Sequence, residues 1–204
     1  MSKVATLLAK TKSALIINEM QAGPIKMFPA LKQALERHNV VANIAGLAAT
    51  FRAKGLPVFH APIHHHPQML DIMPNSMIES IALKTQALRA GTDEVLPLPG
   101  LEPHPEDIIV LRNSGLFALI GTDMNVRLRR MGVETIVVTG ISTNLGILAL
   151  AMAGVDLAYN VVVPEDCIAG SDQKVHDMII AEQMRLLAHI SSAQAVTEAL
   201  AARA

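Results

Sequence analysis

Glu19 follows an unbroken apolar run, ALII, and the single Asn18, with Gln21 two positions further on. A carboxylate leaving the end of a buried strand is a candidate general acid or base, because partial desolvation tunes its proton affinity. A second run, ETIVVTG (134–140), breaks on a glycine and leads into ISTNLGI. That turn offers Ser142, Thr143 and Asn144, then Gly146 where a helix opens. A helix start presents free N–H groups and a positive dipole end, which suit an anion or an oxyanion. Arg112 and Asn113 close a third run, DIIVLR; Arg112 is a candidate carboxylate binder and Asn113 a hydrogen-bond donor. His60, His64, His65 and His66 fall within seven residues. Their spacing matches no usual metal-ligand pattern. Neighbouring side chains on extended backbone alternate in direction, so at most two of the last three share a site. We therefore assign no metal ligand, and read His60 and His64 as polar pocket wall with one imidazole able to shuttle protons.

These residues need a frame that brings strand ends together. SALIIN (13–18), PVFHAPI (57–63), DIIVLR (107–112), ETIVVTG (134–140), YNVVVPE (159–165) and HISSA (189–193) read as strands. Between them lie 3.6-residue patterns: one long helix from Pro29 to Lys54, one from Thr122 as N-cap to Met131, one over 144–156, one over 173–188 and a helical tail. Residues 64–107 are proline-rich with a short helical piece near 75–89, an excursion suited to ligand contacts or an interface. Repeated strand–helix units imply an α/β fold with a parallel sheet between two helical layers. In such sheets ligands bind beyond the carboxyl ends of the strands, which is where Glu19, Gln21, His60, His64, Arg112, Asn113, Ser142, Thr143, Asn144 and Gly146 all fall.

The 204 residues suffice for a single α/β domain, 1–204, and 51% of them are hydrophobic with only 2% aromatic. The core is therefore aliphatic. A formal net charge of −1 gives no reason to expect nucleic acid or an anionic membrane as a partner. Apolar runs stay short of a bilayer span, and lysines at 3, 10 and 12 interrupt the amino-terminal segment, so neither a membrane anchor nor a signal peptide is expected and the cytoplasm is the default location. The single Cys167 excludes an intramolecular disulfide. The stretch LGILALAMAGV is apolar all round, which points to a covered helix and to a homodimer or higher homo-oligomer.

Three segments together resemble the isochorismatase-like cysteine hydrolase superfamily. ALIINEMQ resembles its opening strand, which ends in Asp-Met-Gln. RNSGLFALIGTDMNVRLRRMGVETIVVTGISTNLGI resembles its central block, and AYNVVVPEDCIAG its closing pattern. The resemblance implies a single three-layer domain of Rossmann type, with a six-stranded parallel sheet in the order 3-2-1-4-5-6 and the site between the first and fourth strands. It also implies a non-proline cis peptide between Ile141 and Ser142. The family's catalytic Asp, Lys and Cys fall on Glu19, Asn113 and Gly146, with Arg112 one step from the lysine position.

Gly146 cannot form a covalent adduct, so the resemblance implies a divergent member in which thiol chemistry is absent. The expected function is hydrolysis of a small, anionic molecule by water, with Glu19 as acid or base and without cofactor or metal. The alternative is a degenerate member that binds a small ligand or acts as a scaffold. Glu19 and Asn113 converging in a closed cavity would favour catalysis; a collapsed or flooded pocket would favour the alternative.

Overall fold

A computed structural model describes residues 2–203. Seven strands form one sheet: β1 (Ser13–Asn18), β2 (Val58–Ala61), β3 (Ile108–Ile109), β4 (Thr135–Ile141), β5 (Asn160–Pro164), β6 (Ile168–Ala169) and β7 (His189–Ser191). The order is β3-β2-β1-β4-β5-β7, all parallel, with β6 paired to β4 instead of extending the row. This is the expected six-stranded order with one short strand added. Pairing β6 to the carboxyl end of β4, Gly140 with Ile168 and Ile141 with Ala169, buries CIAG (167–170) beside the site loops.

Every residue of β1 and β4 is buried, as central parallel strands covered on both faces require. Alternation then sorts side chains between two cores. Leu15, Ile17, Val58, Val137 and Val162 pack under helices Lys3–Lys10, Ala30–Arg37, Val40–Ala53 and Ala193–Ala201. Ala14, Ile16, Phe59, Ile136, Val138 and Val161 pack under Met124–Arg130, Leu148–Asp156 and the helical stretch 173–187. The helix expected from Pro29 to Lys54 is two helices. Asn39 between them has φ of 50°, a left-handed turn that Asn tolerates and that interrupts the hydrogen-bond ladder. The helix expected from a Thr122 cap begins at Met124, whose N–H reaches Thr122 Oγ1 at 3.2 Å. Met152 and Val155 on Leu148–Asp156 are exposed, as is Leu145 just before it, so one stripe of that helix is uncovered rather than packed all round. No helix among the described residues is long and apolar enough to cross a membrane.

The 64–107 excursion closes over the carboxyl edge of the sheet. It has its own small core of Met69, Ile72 and Ala82, with Met27 and Leu83 packed against it. Its far end is anchored by a buried ion cluster. Arg52 holds Asp107 through both carboxylate oxygens at 2.9 and 2.6 Å, and the His60 imidazole meets Asp107 at 3.0 Å. Burial pushes the Asp107 carboxyl up, but donors from Arg52, the His104 N–H and His60 outweigh it and hold the group below its ordinary value.

Burial lowers the pKa of His60, His64, His176 and His189, because an imidazolium loses solvation there. The native state then binds fewer protons than the unfolded chain. Stability is complete above the unfolded histidine value of about 6.5 and drops as pH falls through it, with Asp107 adding a second loss below about pH 4. Urea midpoints should therefore fall steadily between about pH 7 and pH 5; a flat profile would show that these histidines charge in place. Asp107→Asn should lower unfolding free energy by about 1–3 kcal/mol at neutral pH, since it leaves the half-buried Arg52 guanidinium without its carboxylate.

Candidate active site

Where β1 ends, Glu19 takes φ of 52°. A non-glycine residue held there costs about 1–3 kcal/mol and is kept only by its surroundings. The turn swings the Glu19 carboxylate onto Arg112, whose Nη2 forms the ion pair. Arg112 is 4% exposed. Its Nη1 donates to the Leu116 carbonyl at 3.3 Å, and its Nε is buried without a partner. A guanidinium this deep is tolerated because the carboxylate neutralises it.

Across the cleft, β4 runs into Ser142 through a cis peptide bond at Ile141–Ser142, followed by a π-helical turn, Thr143–Ile147, that feeds into Leu148–Asp156. The side chain of Asn18, fully buried, donates from Nδ2 to the Ile141 carbonyl at 2.6 Å, and its Oδ1 has no partner. Two glycines make room for Asn18. At Gly140, with φ of 109°, a Cβ would stand 2.1 Å from the Asn18 carbonyl oxygen. At Gly146 it would stand 2.6 Å from Asn18 Nδ2 and 2.9 Å from the Ile141 oxygen. Asn18 thus occupies the space that any side chain at 146 needs.

Between these walls lies a cavity of about 80 Å³. Glu19, His65, Ser142, Gly146 and Glu79 supply its polar groups, and Met27, Phe28, Leu31, Ile63, Ile78, Leu88 and Leu145 much of its apolar lining. Among the described residues, no lysine, arginine or thiol lines it. Cys167, the sole cysteine, is buried on the β6 side, where burial pushes its thiol far up and keeps it protonated.

The sequence candidates divide. Glu19, Ser142 and Gly146 face the cavity, and Arg112 reaches it through Glu19. Asn113 does not converge on Glu19: it is exposed, and its Nδ2 donates to the His64 carbonyl at 3.0 Å. The cation beside the carboxylate is therefore Arg112, a correction by one residue that follows from strand phase. Gln21 is spent on structure, bonding Ile63 through both its oxygen and nitrogen and Val95 through its nitrogen. With His60 and His64 it lines an adjoining cleft that Glu19 also borders. Thr143 points the other way, to His176 Nδ1 at 2.8 Å, and Asn144 is not part of the cavity wall.

Two cavity residues were not anticipated. His65 is buried, and its Nδ1 lies 2.8 Å from the Asn113 carbonyl. A carbonyl only accepts, so Nδ1 carries the proton and Nε2 keeps its lone pair in the neutral ring. The alternation along HHH held the signal that one of the three faces differently from its neighbours, but not which. Glu79 sits in Ser-Met-Ile-Glu at the start of helix Met77–Thr85, where the pattern reads as capping.

A parallel α/β sheet in the order β3-β2-β1-β4-β5-β7, with a non-proline cis peptide at the carboxyl end of β4, is the architecture that the resemblance implies for an isochorismatase-type domain. The chain belongs to the isochorismatase family: residues 13–195 match the isochorismatase domain. It is 32% identical to YecD, an isochorismatase family protein of Escherichia coli O157:H7, over 94% of this chain and 97% of that one. It is 27% identical to the ureidoacrylate amidohydrolase RutB of Methylobacterium radiotolerans, over 79% of this chain and 67% of the relative. The fold superposes on an isochorismatase family protein from Desulfovibrio vulgaris with a TM-score of 0.81 and 28% identity, covering 94% of this chain and 100% of that chain.

The Asn18–Gly146 contact has a measurable consequence. Gly146→Ala should destabilise the protein by about 1–3 kcal/mol through overpacking. In an Asn18→Ala background the same substitution should cost less, because the nearer of the two clashes is gone and only that with the Ile141 oxygen remains. A double-mutant cycle by urea denaturation reads the coupling; additive effects would mean that Asn18 does not set the room at 146.

Proposed function

We propose that the chain is a hydrolase of a small, largely apolar molecule bearing an amide-type carbonyl, working with water and without a covalent enzyme intermediate. The observation that carries this reading is the Glu19–Arg112 ion pair bordering a mostly apolar cavity. As half of an ion pair Glu19 begins the cycle as a carboxylate, which takes a proton rather than gives one. It receives a proton from water as the water oxygen bonds to the carbonyl carbon. The oxyanion lies against the Ser142–Gly146 turn. The carbon–nitrogen bond then breaks, and Glu19 returns the proton to the departing nitrogen. Arg112 fixes the carboxylate's orientation, and His65 Nε2 accepts a hydrogen bond from the water or the substrate. The amidohydrolase named among the relatives supports the choice of an amide-type bond. With no unpaired cation in the wall, the cavity suits a neutral or cationic substrate better than the anionic one expected from the sequence.

A second reading, binding without turnover, is supported by Asn18. Its amide fills the space beside Gly146 where a nucleophile would stand. The two readings part on one assay. Small amides and ureido compounds that raise the melting temperature should be hydrolysed by the wild type, and Glu19→Gln should reduce turnover by about a hundredfold or more while still binding them. Ligands bound but never turned over by the wild type establish the second reading.

We also propose that the exposed stripe of Leu145, Met152 and Val155 is covered by a second copy of the chain. Light scattering should then give at least a dimer mass, and Met152→Glu should shift it towards the monomer. A monomeric wild type at about 10 μM would rule this out.

A further inference from the structure

Residues 62–65 form a partition. Ile63 and His65 line the cavity, whereas Pro62 and His64 line a cleft on the other side. Ile63 bridges to Arg112 and His65 to Arg89, so this segment is extended, and side chains on extended backbone alternate in direction. One layer of chain therefore separates the two spaces. Gln21 pins that layer: Ile63 N–H donates to Gln21 Oε1 at 2.9 Å, and Gln21 Nε2 donates to the Ile63 carbonyl at 3.1 Å. Among the described residues, Glu19 alone lines both spaces. The cleft measures about 260 Å³ against about 80 Å³ for the cavity, so most of the room beside Glu19 lies in the cleft. Its polar side chains are already engaged. Gln21 holds Ile63 and Val95, His60 meets Asp107 at 3.0 Å, His64 is bonded to the Val95 backbone and Glu19 is paired with Arg112. The rest of the wall is apolar, with Ile17, Met20, Leu96, Pro97, Pro103 and Ile109 foremost. Leu96 and Ile109 are each 53% exposed.

We propose that this cleft is a second subsite that takes an aliphatic chain of the substrate, running outward from the reactive group at Glu19. A polar ligand finds no free partner in the cleft, so it would lose solvation there without recompense. A hydrocarbon chain loses nothing of that kind and removes apolar surface of Leu96 and Ile109 from water. The chain's origin is set by the residue that the two spaces share. A molecule with its polar head beside Glu19 can send its tail only into the small cavity or into the larger cleft, and the cleft holds more methylenes. The partition between them is tied to the strand end that carries Glu19, through Gln21, so head and tail sites keep a fixed spacing. This deepens the hydrolase reading and rests on Glu19 as its reactive centre, but it requires only binding.

The test titrates n-propanol, n-butanol, n-pentanol and n-hexanol into wild type, Leu96→Asp and Ile109→Asp, with melting curves to confirm that the variants fold. These alcohols offer no bond to hydrolyse, so binding is read apart from turnover. In the wild type each added methylene should tighten binding about two- to fourfold. Each variant sets a carboxylate on the cleft wall and should flatten that rise. In NMR spectra of the wild type, n-hexanol should shift the methyl resonances of Leu96 and Ile109, and those of Leu145 in the cavity wall should move less. That measurement decides the matter should a variant fail to fold. Affinity that does not rise with chain length, including no binding at all, overturns the proposal. So does a rise that persists in both variants, or n-hexanol shifts centred on Leu145. A rising series without hydrolysis of any amide would remove the hydrolase and keep the subsite; turnover of short amides with a flat series would do the reverse.

Discussion

The site depends on keeping one guanidinium out of water. Arg112 is almost wholly buried, and such a charge is stable only if a carboxylate meets it. Glu19 does so from a left-handed backbone turn. Two elements are tied together by that pair, the end of β1 and the loop after β3, and Nη1 folds that loop on itself through the Leu116 carbonyl. Removing either partner leaves the other charge stranded, so the pair is a structural bond as well as the proposed chemical centre. The left-handed Glu19 is the cost of aiming a carboxylate sideways from a strand that otherwise runs straight.

The frame was legible because its signals are local. SALIIN and ETIVVTG are uninterrupted apolar runs, and both became central parallel strands. The sheet order followed from the resemblance carried by the strand-end motifs. What the sequence hid was conditional on tertiary contacts. The helical period runs on through Arg37 and Val40, so nothing local announces the break at Asn39. Strand β6 is two residues long and exists only because β4 offers Gly140 and Ile141 as partners.

The site was legible to the same degree. Glu19, Ser142 and Gly146 are fixed by strand ends, and they face the cavity. The choice between Arg112 and Asn113 turned on the phase of a strand only two residues long, and alternation alone could not settle it. His65 was passed over for His60 and His64 for a related reason. The strand phase sends His60 to Asp107 on the helix side, while His65 is turned inward by the Asn113 carbonyl, a partner 48 residues away in sequence. Glu79 belongs to an excursion whose place over the sheet edge is set by Met69, Ile72 and Met27, none of which is adjacent in sequence.

The emptiness at position 146 now has a physical description. It is a space filled from the opposite strand. Asn18 holds the carbonyl of the cis peptide and stands where a side chain at 146 would have to go. A side chain placed at 146 would meet the Asn18 amide and the Ile141 oxygen, so one of them would have to shift. The strand end and the turn are therefore matched to each other, Asn18 of β1 filling the space that Gly146 in the turn leaves open. Whatever chemistry the cavity performs must come from the groups in its wall: a carboxylate held by an arginine, an imidazole, a serine hydroxyl and a second glutamate.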